Sequence, residues 1–282
     1  MWLYLAFASA LLLGGYDVAK KIALKKNGVM WVLFSISALS TLILVPWFKA
    51  ADAPGEYMLL VPKAFLVTIS WISGLYGMKY LPLTTVSIIK ASRPAFVIVL
   101  SILLFAERLS PLQWCAVALV LASLLLLGRS SRDTGNASAS VRGWLCMGLS
   151  VLSGVASALY DKYAVTQMDP VFVLCWSNLF IAVLMGLVLA FQSLREGEGR
   201  QRFKADPMLL VAAVVIVGAD ALYFIALSQE GSMLSIISLV RRFSILVTFA
   251  ISALIFKEKN LRSKALPLLL MILSMLCLCL VK

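Results

Sequence analysis

Long apolar runs recur along this chain of 282 residues and constrain its fold more than any other feature. Each run is about 17–24 residues long, which is the length that an α-helix needs to cross the hydrocarbon core of a bilayer. The runs leave almost nothing for a soluble domain. We therefore predict an all-α polytopic membrane protein with ten transmembrane helices near 2–22, 29–48, 59–79, 83–105, 112–128, 143–163, 170–191, 207–227, 233–256 and 265–281.

The composition supports this prediction and narrows the class of protein. Hydrophobic residues make up 62% of the chain, charged residues 13%, and the mean hydropathy is +0.99, far from the values of soluble globular proteins. The first run has no basic segment before it and no small-residue cleavage site, so we expect a retained helix. The five cysteines lie in apolar runs without metal-ligand spacing, which is typical of buried packing. We expect a multi-pass protein of the cell inner (plasma) membrane.

Several function classes are disfavoured by what the chain contains. It has no histidine, which excludes histidine-based acid–base catalysis and most zinc sites. The net charge of +12 comes mainly from Lys and Arg at helix ends, where these residues meet lipid headgroups rather than nucleic acid. We expect no enzymatic activity, no cofactor, no metal and no nucleic-acid partner.

An internal repeat divides the chain into two halves. A shift of 151 residues aligns 86–108 with 237–259 and places Lys90 on Arg241, and a shift of 141 places Lys21 on Lys162. Because each half contains five helices, the copies must be oppositely oriented in the membrane, which is the inverted-repeat plan of secondary transporters. The predicted organisation is a first repeat at 1–128, a polar linker at 129–141 and a second repeat at 142–282.

Four cations lie inside apolar runs and are the main candidates for a binding site. A cation in hydrocarbon costs roughly 2.5–3.5 kcal/mol on insertion scales, so it is normally found facing a protein interior or a wet cavity. Lys90 and Arg241 are repeat counterparts, so a ligand on the pseudo-twofold axis could contact both. Arg242 and Arg93 are the other two, and together these side chains predict a site for a polyatomic anion.

Tyrosines and carboxylates complete the predicted site. Tyr76 and Tyr223 fall at related positions, where their hydroxyls could orient a polar substrate or simply pack in the core. Asp17, Asp161 and Asp220 are intramembrane carboxylates, which could couple transport to protons or act as counter-ions. Internal pairing of these carboxylates with the cations therefore remains an alternative to ligand binding.

The segments around these residues resemble a known superfamily. The run from Tyr76 through 81–94 to 105–108 is similar to helices 3–4 of the drug/metabolite transporter superfamily, which has the EamA-type fold. The run from Leu222 to Lys259 is similar to helices 8–9. This resemblance implies transport by alternating access.

Within that superfamily the cations are closest in pattern to the branch of triose-phosphate and nucleotide-sugar transporters. Lys90 lies where that branch has a helix-4 lysine, Arg241-Arg242 where it has a basic pair, and Tyr223 at a helix-8 tyrosine. The resemblance also extends to basic residues at the ends of helices 1 and 6, which here are Lys20, Lys21 and Lys162.

The expected function is therefore secondary transport of a small organic anion, either phosphorylated or a carboxylate, with exchange (antiport) as the expected mode. One alternative is a proton-coupled exporter of amino acids or amphipathic drugs, in which Asp220 or Asp17 carries the proton. An alternative of another class is a membrane scaffold or a subunit of a lipid-linked-sugar flippase. The expected partners are an anionic small molecule and the lipid bilayer, with the oligomeric state open between monomer and dimer.

Charge near the helix ends bears on orientation. Lys and Arg concentrate in the loops after helices 1, 5, 7 and 9, so the positive-inside rule favours both termini outside, whereas the resemblance implies cytoplasmic termini. Glu107-Arg108 and Glu258-Lys259 follow helices 4 and 9 and are interpreted as interfacial anchors with no role in transport.

Overall fold

The computed structural model describes residues 1–51, 54–81, 83–130, 141–196, 203–256 and 261–280. Within these residues the protein is helical and contains no strand. The α-helices are α1 Trp2–Ala23, α2 Val29–Leu44, α3 Pro54–Tyr80, α4 Leu83–Phe105, α5 Pro111–Ser130, α6 Val141–Gln167, α7 Pro170–Glu196, α8 Pro207–Ser228, α9 Leu234–Val240, α10 Ser244–Phe256 and α11 Leu261–Cys279.

These helices confirm the predicted polytopic all-α fold. Seven helical segments among the described residues are long and apolar enough to cross a membrane, and the seventh of them joins α9 to the first part of α10. The other three spans, α4, α5 and α11, contain shorter apolar stretches at Ser92–Phe105, Pro111–Leu126 and Leu266–Cys279. With α9 and α10 counted as one span, the ten predicted spans are all present. The predicted linker, 129–141, lies mostly outside the described residues.

The ninth predicted span is broken where its two cations lie. We predicted one continuous helix over 233–256, but a 3-10 turn at Arg241–Phe243 separates α9 from α10. Neither proline nor glycine occurs in this segment, so the break is not a local sequence effect. It accompanies the burial of two adjacent cations, and such discontinuous helices are typical of the substrate sites of inverted-repeat transporters.

Alternating helix directions define two membrane sides. The terminal side carries the N-terminus and the connections after α2, α4, α6 and α8. The linker side carries the connections after α1, α3, α5, α7 and α10. At the linker side, Lys26 forms an ion pair with Asp206 at 3.0 Å, and Asp206 caps α8. The Met208 N–H and the Lys26 ammonium hold the pKa of Asp206 below its ordinary value.

Helix packing follows the inverted repeat. The two most extensive contacts join α1 to α8 and α3 to α6, which are equivalent pairs when the halves are exchanged. Hydrogen bonds repeat with the packing: the Ser9 hydroxyl donates to the Ala219 carbonyl at 2.7 Å, and the Ser150 hydroxyl donates to the Ser70 carbonyl at 2.7 Å. Since Ser9 and Ser150 are 141 residues apart, the offset found in the sequence is reproduced in the structure.

Two glycines allow equally close approaches in the two halves. A Cβ added to Gly14 of α1 would lie 2.5 Å from the Val247 Cβ and 2.8 Å from the Ser244 carbonyl oxygen. A Cβ added to Gly154 of α6 would lie 2.6 Å from the guanidinium carbon of Arg93. Ser244 and Arg93 are repeat counterparts, so α1 meets α10 as α6 meets α4.

The Gly14→Ala substitution is expected to lower the free energy of unfolding by about 1–3 kcal/mol, because the added methyl group overlaps packed backbone. Gly15→Ala is the matched control, since its Cβ would meet nothing closer than the Val215 Cγ1 at 3.7 Å. That control should be neutral or should stabilise α1 by up to about 1 kcal/mol. Thermal unfolding of both variants in detergent tests this, and equal effects would contradict it.

Candidate functional site

A buried ion pair joins the two repeats between α3 and α6, in the terminal-side half of both helices. Lys63 of α3 lies 3.0 Å from Asp161 of α6, and their side chains are only 4% and 13% exposed. The Lys63 ammonium also lies 4.1 Å from the centre of the Phe224 ring. The hydroxyl of Tyr223 donates to the other carboxylate oxygen of Asp161 at 3.3 Å. The side chains of this network around Asp161 come from three helices, α3, α6 and α8.

Arg241 continues this network from the broken ninth span. Its guanidinium donates to Asp220 at 2.8 Å and lies 4.2 Å above the Tyr223 ring. Both partners are on α8, so the 3-10 turn after α9 directs Arg241 towards α8. In this state Arg241 is therefore paired internally with a carboxylate, which is the alternative to ligand binding that the sequence had left open.

Arg242 and Arg93 differ from Arg241 because neither forms an ion pair among the described residues. The Nε of Arg242 is buried and has no hydrogen-bond partner among the described residues. Arg93 donates to the backbone carbonyl of Gly154 at 2.5 Å, which leaves its charge uncompensated by direct contact. The two guanidinium groups repel each other electrostatically, and Arg242 is attracted to Asp17.

Lys90 lies towards the linker side and is exposed. Its ammonium is 3.9 Å from the Met78 sulfur, and it is repelled electrostatically by Lys20 and Arg93. Its repeat counterpart, Arg241, is largely buried and paired. In this region α4 packs on α9 but makes at most marginal contact with α10 among the described residues. Among the described residues, α4 and the ninth span therefore pack together towards the terminal side and are separated towards the linker side.

Positive charge exceeds negative charge in this region. We define the central cluster as the charged residues of α1, α3, α4, α6, α8 and the ninth span that interact electrostatically with one another, together with Tyr223, which donates to Asp161. It contains six cations against three carboxylates, which leaves a formal excess of three positive charges. The members are Lys20, Lys63, Lys90, Arg93, Arg241, Arg242, Asp17, Asp161, Asp220 and Tyr223.

Two members of this cluster were not predicted as site residues from the sequence, and one predicted site residue lies outside the cluster. Lys63 was not among the predicted site residues, but it is buried within α3. Lys20 was weighed as a helix-end residue, whereas it interacts with Asp17 inside the cluster. Tyr76 is 52% exposed and lies on the side of α3 opposite Gly74, which packs against α6. The structure therefore does not bring Tyr76 to the other candidates.

The terminal side is closed by charged side chains that cap backbone groups. Lys162 donates to the carbonyls of Leu227 and Ser232, each at 3.0 Å, and so binds the end of α8. Glu107 accepts hydrogen bonds from the N–H groups of Leu234 and Ser235 at 2.6 and 3.1 Å. The interpretation of Glu107 as an interfacial anchor was wrong, because its carboxylate caps α9 of the other repeat. Its counterpart, Glu258, lies outside the described residues.

Comparison with known proteins identifies the family. A model described as the EamA-like transporter family matches residues 1–129 and again residues 141–280. The chain belongs to the EamA-like transporter family. It is a multi-pass membrane transporter, and the wider resemblance to the drug/metabolite transporter superfamily is confirmed. The narrower likeness to the triose-phosphate and nucleotide-sugar branch stays a prediction.

A solved structure agrees with the fold of this EamA-like transporter. One crystal structure, of a chain described only as a protein, superposes with a TM-score of 0.74 at 14% sequence identity. The match covers 100% of this chain and 99% of that chain. At this identity the likeness shows the fold alone. No curated protein matches the chain.

Proposed function

We propose that this transporter carries small organic anions by alternating access, as an exchanger of phosphorylated or carboxylate metabolites. The observation that carries the proposal is the positive excess of the central cluster, together with the unpartnered buried Nε of Arg242. A buried guanidinium N–H without an acceptor is costly, and a bound oxyanion would supply an acceptor together with negative charge.

The residues of the cluster have different roles in this proposal. Arg242 and Arg93 bind the anionic group, and Lys90 meets the substrate first because its side chain is exposed towards the linker side. Arg241, although paired with Asp220, presents its guanidinium stacked on Tyr223 and can share Asp220 with the substrate. Asp161 serves as the counter-ion of Lys63 and holds the Tyr223 hydroxyl in position.

Exchange follows from the same charge excess. Closing the linker side around the empty site would remove unneutralised cations from water, and this desolvation is expensive. Closing around a bound anion avoids much of that cost, so the loaded transporter changes state more readily than the empty one. If the charge-rich loops of the linker side are cytoplasmic, as the positive-inside rule favours, the described state faces the cytoplasm of a plasma-membrane transporter.

Ligand-induced stabilisation tests the proposal with a small panel of candidate substrates. A three-carbon phosphate ester, inorganic phosphate, a dicarboxylate and a neutral sugar would each be added to the purified transporter before thermal unfolding. A ligand at one hundred times its dissociation constant stabilises the folded state by about 2.7 kcal/mol. We expect the anions to raise the melting temperature and the neutral sugar to leave it unchanged. Liposomes preloaded with a stabilising anion should then take up its labelled form, and no uptake by exchange would contradict the proposal.

A second candidate, export of amphipathic compounds, is favoured by one feature. A crevice of about 630 Å³ lies between α4, α5 and α6, and its lining is apolar except for Ser92. Its α4 residues Ile89 and Ser92 are the sequence neighbours of Lys90 and Arg93, so an apolar tail could lie there while a polar head meets the cluster. Stabilisation by amphipathic amines, with none by the anions, would favour this candidate.

A further inference from the structure

We propose that Glu107 is a positioning residue for transport, which holds the terminal side closed by capping α9 and must release that helix for the side to open. The inference rests on the alternating access of the proposed function. It concerns the change of state rather than substrate binding, since Glu107 lies outside the central cluster.

The backbone after α4 directs Glu107 towards the other repeat. The preceding residue, Ala106, has a φ of +51°, which is a conformation that residues other than glycine seldom adopt. This left-handed turn ends α4 and brings the Glu107 carboxylate to the first N–H groups of α9. The Ser235 hydroxyl also donates to the carboxylate. One carboxylate therefore accepts three hydrogen bonds across the boundary between the repeats.

Helix α9 has no cap of its own. Its N-cap residue is Met233, which has no side-chain acceptor, and Leu234 and Ser235 are fully buried. The first N–H groups of a helix need acceptors, and a carboxylate near them is also favoured by the helix dipole. Glu107 of the first repeat therefore accepts the hydrogen bonds of the first N–H groups of α9, for which the second repeat supplies no side-chain acceptor. These N–H groups keep that acceptor only while the terminal side is closed.

Other contacts between the repeats do not replace this one. Helices α1 and α8, and α3 and α6, have the most extensive contacts, with serine hydrogen bonds within each pair, so each pair is suited to move as a unit. Lys49 and Asp169 also join the repeats at the terminal side, but their side chains are 64% and 45% exposed. Exposed pairs contribute little. The Glu107 cap joins the end of α4 to the start of α9, so opening of the terminal side must break it.

Distances across the terminal side test the proposal. Spin labels at Arg108→Cys and Glu230→Cys, both exposed positions beside the cap, report the separation of the α4 exit from the α8–α9 turn. The five native cysteines would be replaced by alanine. We expect a short and a long distance in the otherwise unchanged protein. Glu107→Ala and the isosteric Glu107→Gln should raise the ratio of long to short at least about fivefold, the effect of losing one helix cap.

Gln113→Ala is the matched control. Gln113 and Ser110 cap each other at the start of α5, with the Gln113 side chain accepting from the Ser110 N–H at 2.8 Å, entirely within the first repeat. Its loss should lower the melting temperature without changing the distance ratio. An unchanged ratio in both Glu107 variants, or an equal rise in Gln113→Ala, would overturn the role of Glu107. A single distance in every variant and with every anion would overturn alternating access as well, so the two failures are distinguishable.

Discussion

Asp161→Asn is expected to lower the free energy of unfolding by about 3–5 kcal/mol, because it leaves the ammonium of Lys63 buried without a counter-ion. The Lys63 side chain is only 4% exposed, so solvent offsets little of this cost. The amide can still accept from the Tyr223 hydroxyl, so the substitution isolates the loss of charge from the loss of that hydrogen bond. Reversible unfolding in detergent micelles would measure the difference.

Asp169→Asn provides the matched control for this prediction. Asp169 also pairs with a lysine of the first repeat, Lys49 at 3.2 Å, but both side chains are well exposed. Asparagine retains the capping of α7, so the control removes only a surface ion pair worth about 0–1 kcal/mol. The double variant Lys63→Met, Asp161→Asn should recover most of the stability. A loss in Asp161→Asn no larger than that in Asp169→Asn would contradict the prediction.

Arg242→Ala is expected to lower the kcat/KM of anion exchange roughly 10–100-fold, while the melting temperature stays the same or rises. Each hydrogen bond to a charged group is worth about 1.5–3 kcal/mol, and 1.4 kcal/mol corresponds to a factor of ten. Stability should not fall, because the substitution removes a buried donor that has no partner among the described residues. Opposite effects on transport and stability would separate a binding role from a structural one.

Counterflow in liposomes is the measurement for Arg242, and two further variants calibrate it. Arg242→Lys keeps the charge but loses the planar fork, so an intermediate loss is expected. Arg142→Ala removes an exposed arginine at the start of α6, far along that helix from the cluster, and should leave exchange unchanged. Full exchange by Arg242→Ala would refute the assignment of this residue to the anion site.

The spans could be predicted from the sequence because their apolar runs are long and interrupted by few charges. The helix α4 begins and ends at the predicted residues, and α8 ends one residue later than predicted. The break at Arg241–Phe243 could not be predicted in the same way. No local residue disfavours a helix there, and the turn accompanies the contact of Arg241 with α8, which is a tertiary effect.

Some residues of the candidate site could be predicted from the sequence and others could not. Cations in the middle of an apolar run are conspicuous, so Lys90, Arg241 and Arg242 could be proposed as candidates from the sequence. Lys63 was not, because a lysine near the start of a predicted span has the same pattern whether it reaches the headgroups or is buried. Tyr76 was predicted as a site residue because it lies at a repeat position related to that of Tyr223. Its position in the sequence does not show which side of the helix its side chain faces.

The pairing of Lys63 with Asp161 also has a consequence for biosynthesis. Lys63 is translated one repeat ahead of Asp161, so α3 enters the membrane carrying a charge whose counter-ion does not yet exist. Insertion of a lone lysine costs roughly 2.5–3.5 kcal/mol, and that cost lasts until α6 leaves the translocon. The first repeat therefore carries a buried charge that is neutralised only after the sixth helix, in the second repeat, has been made.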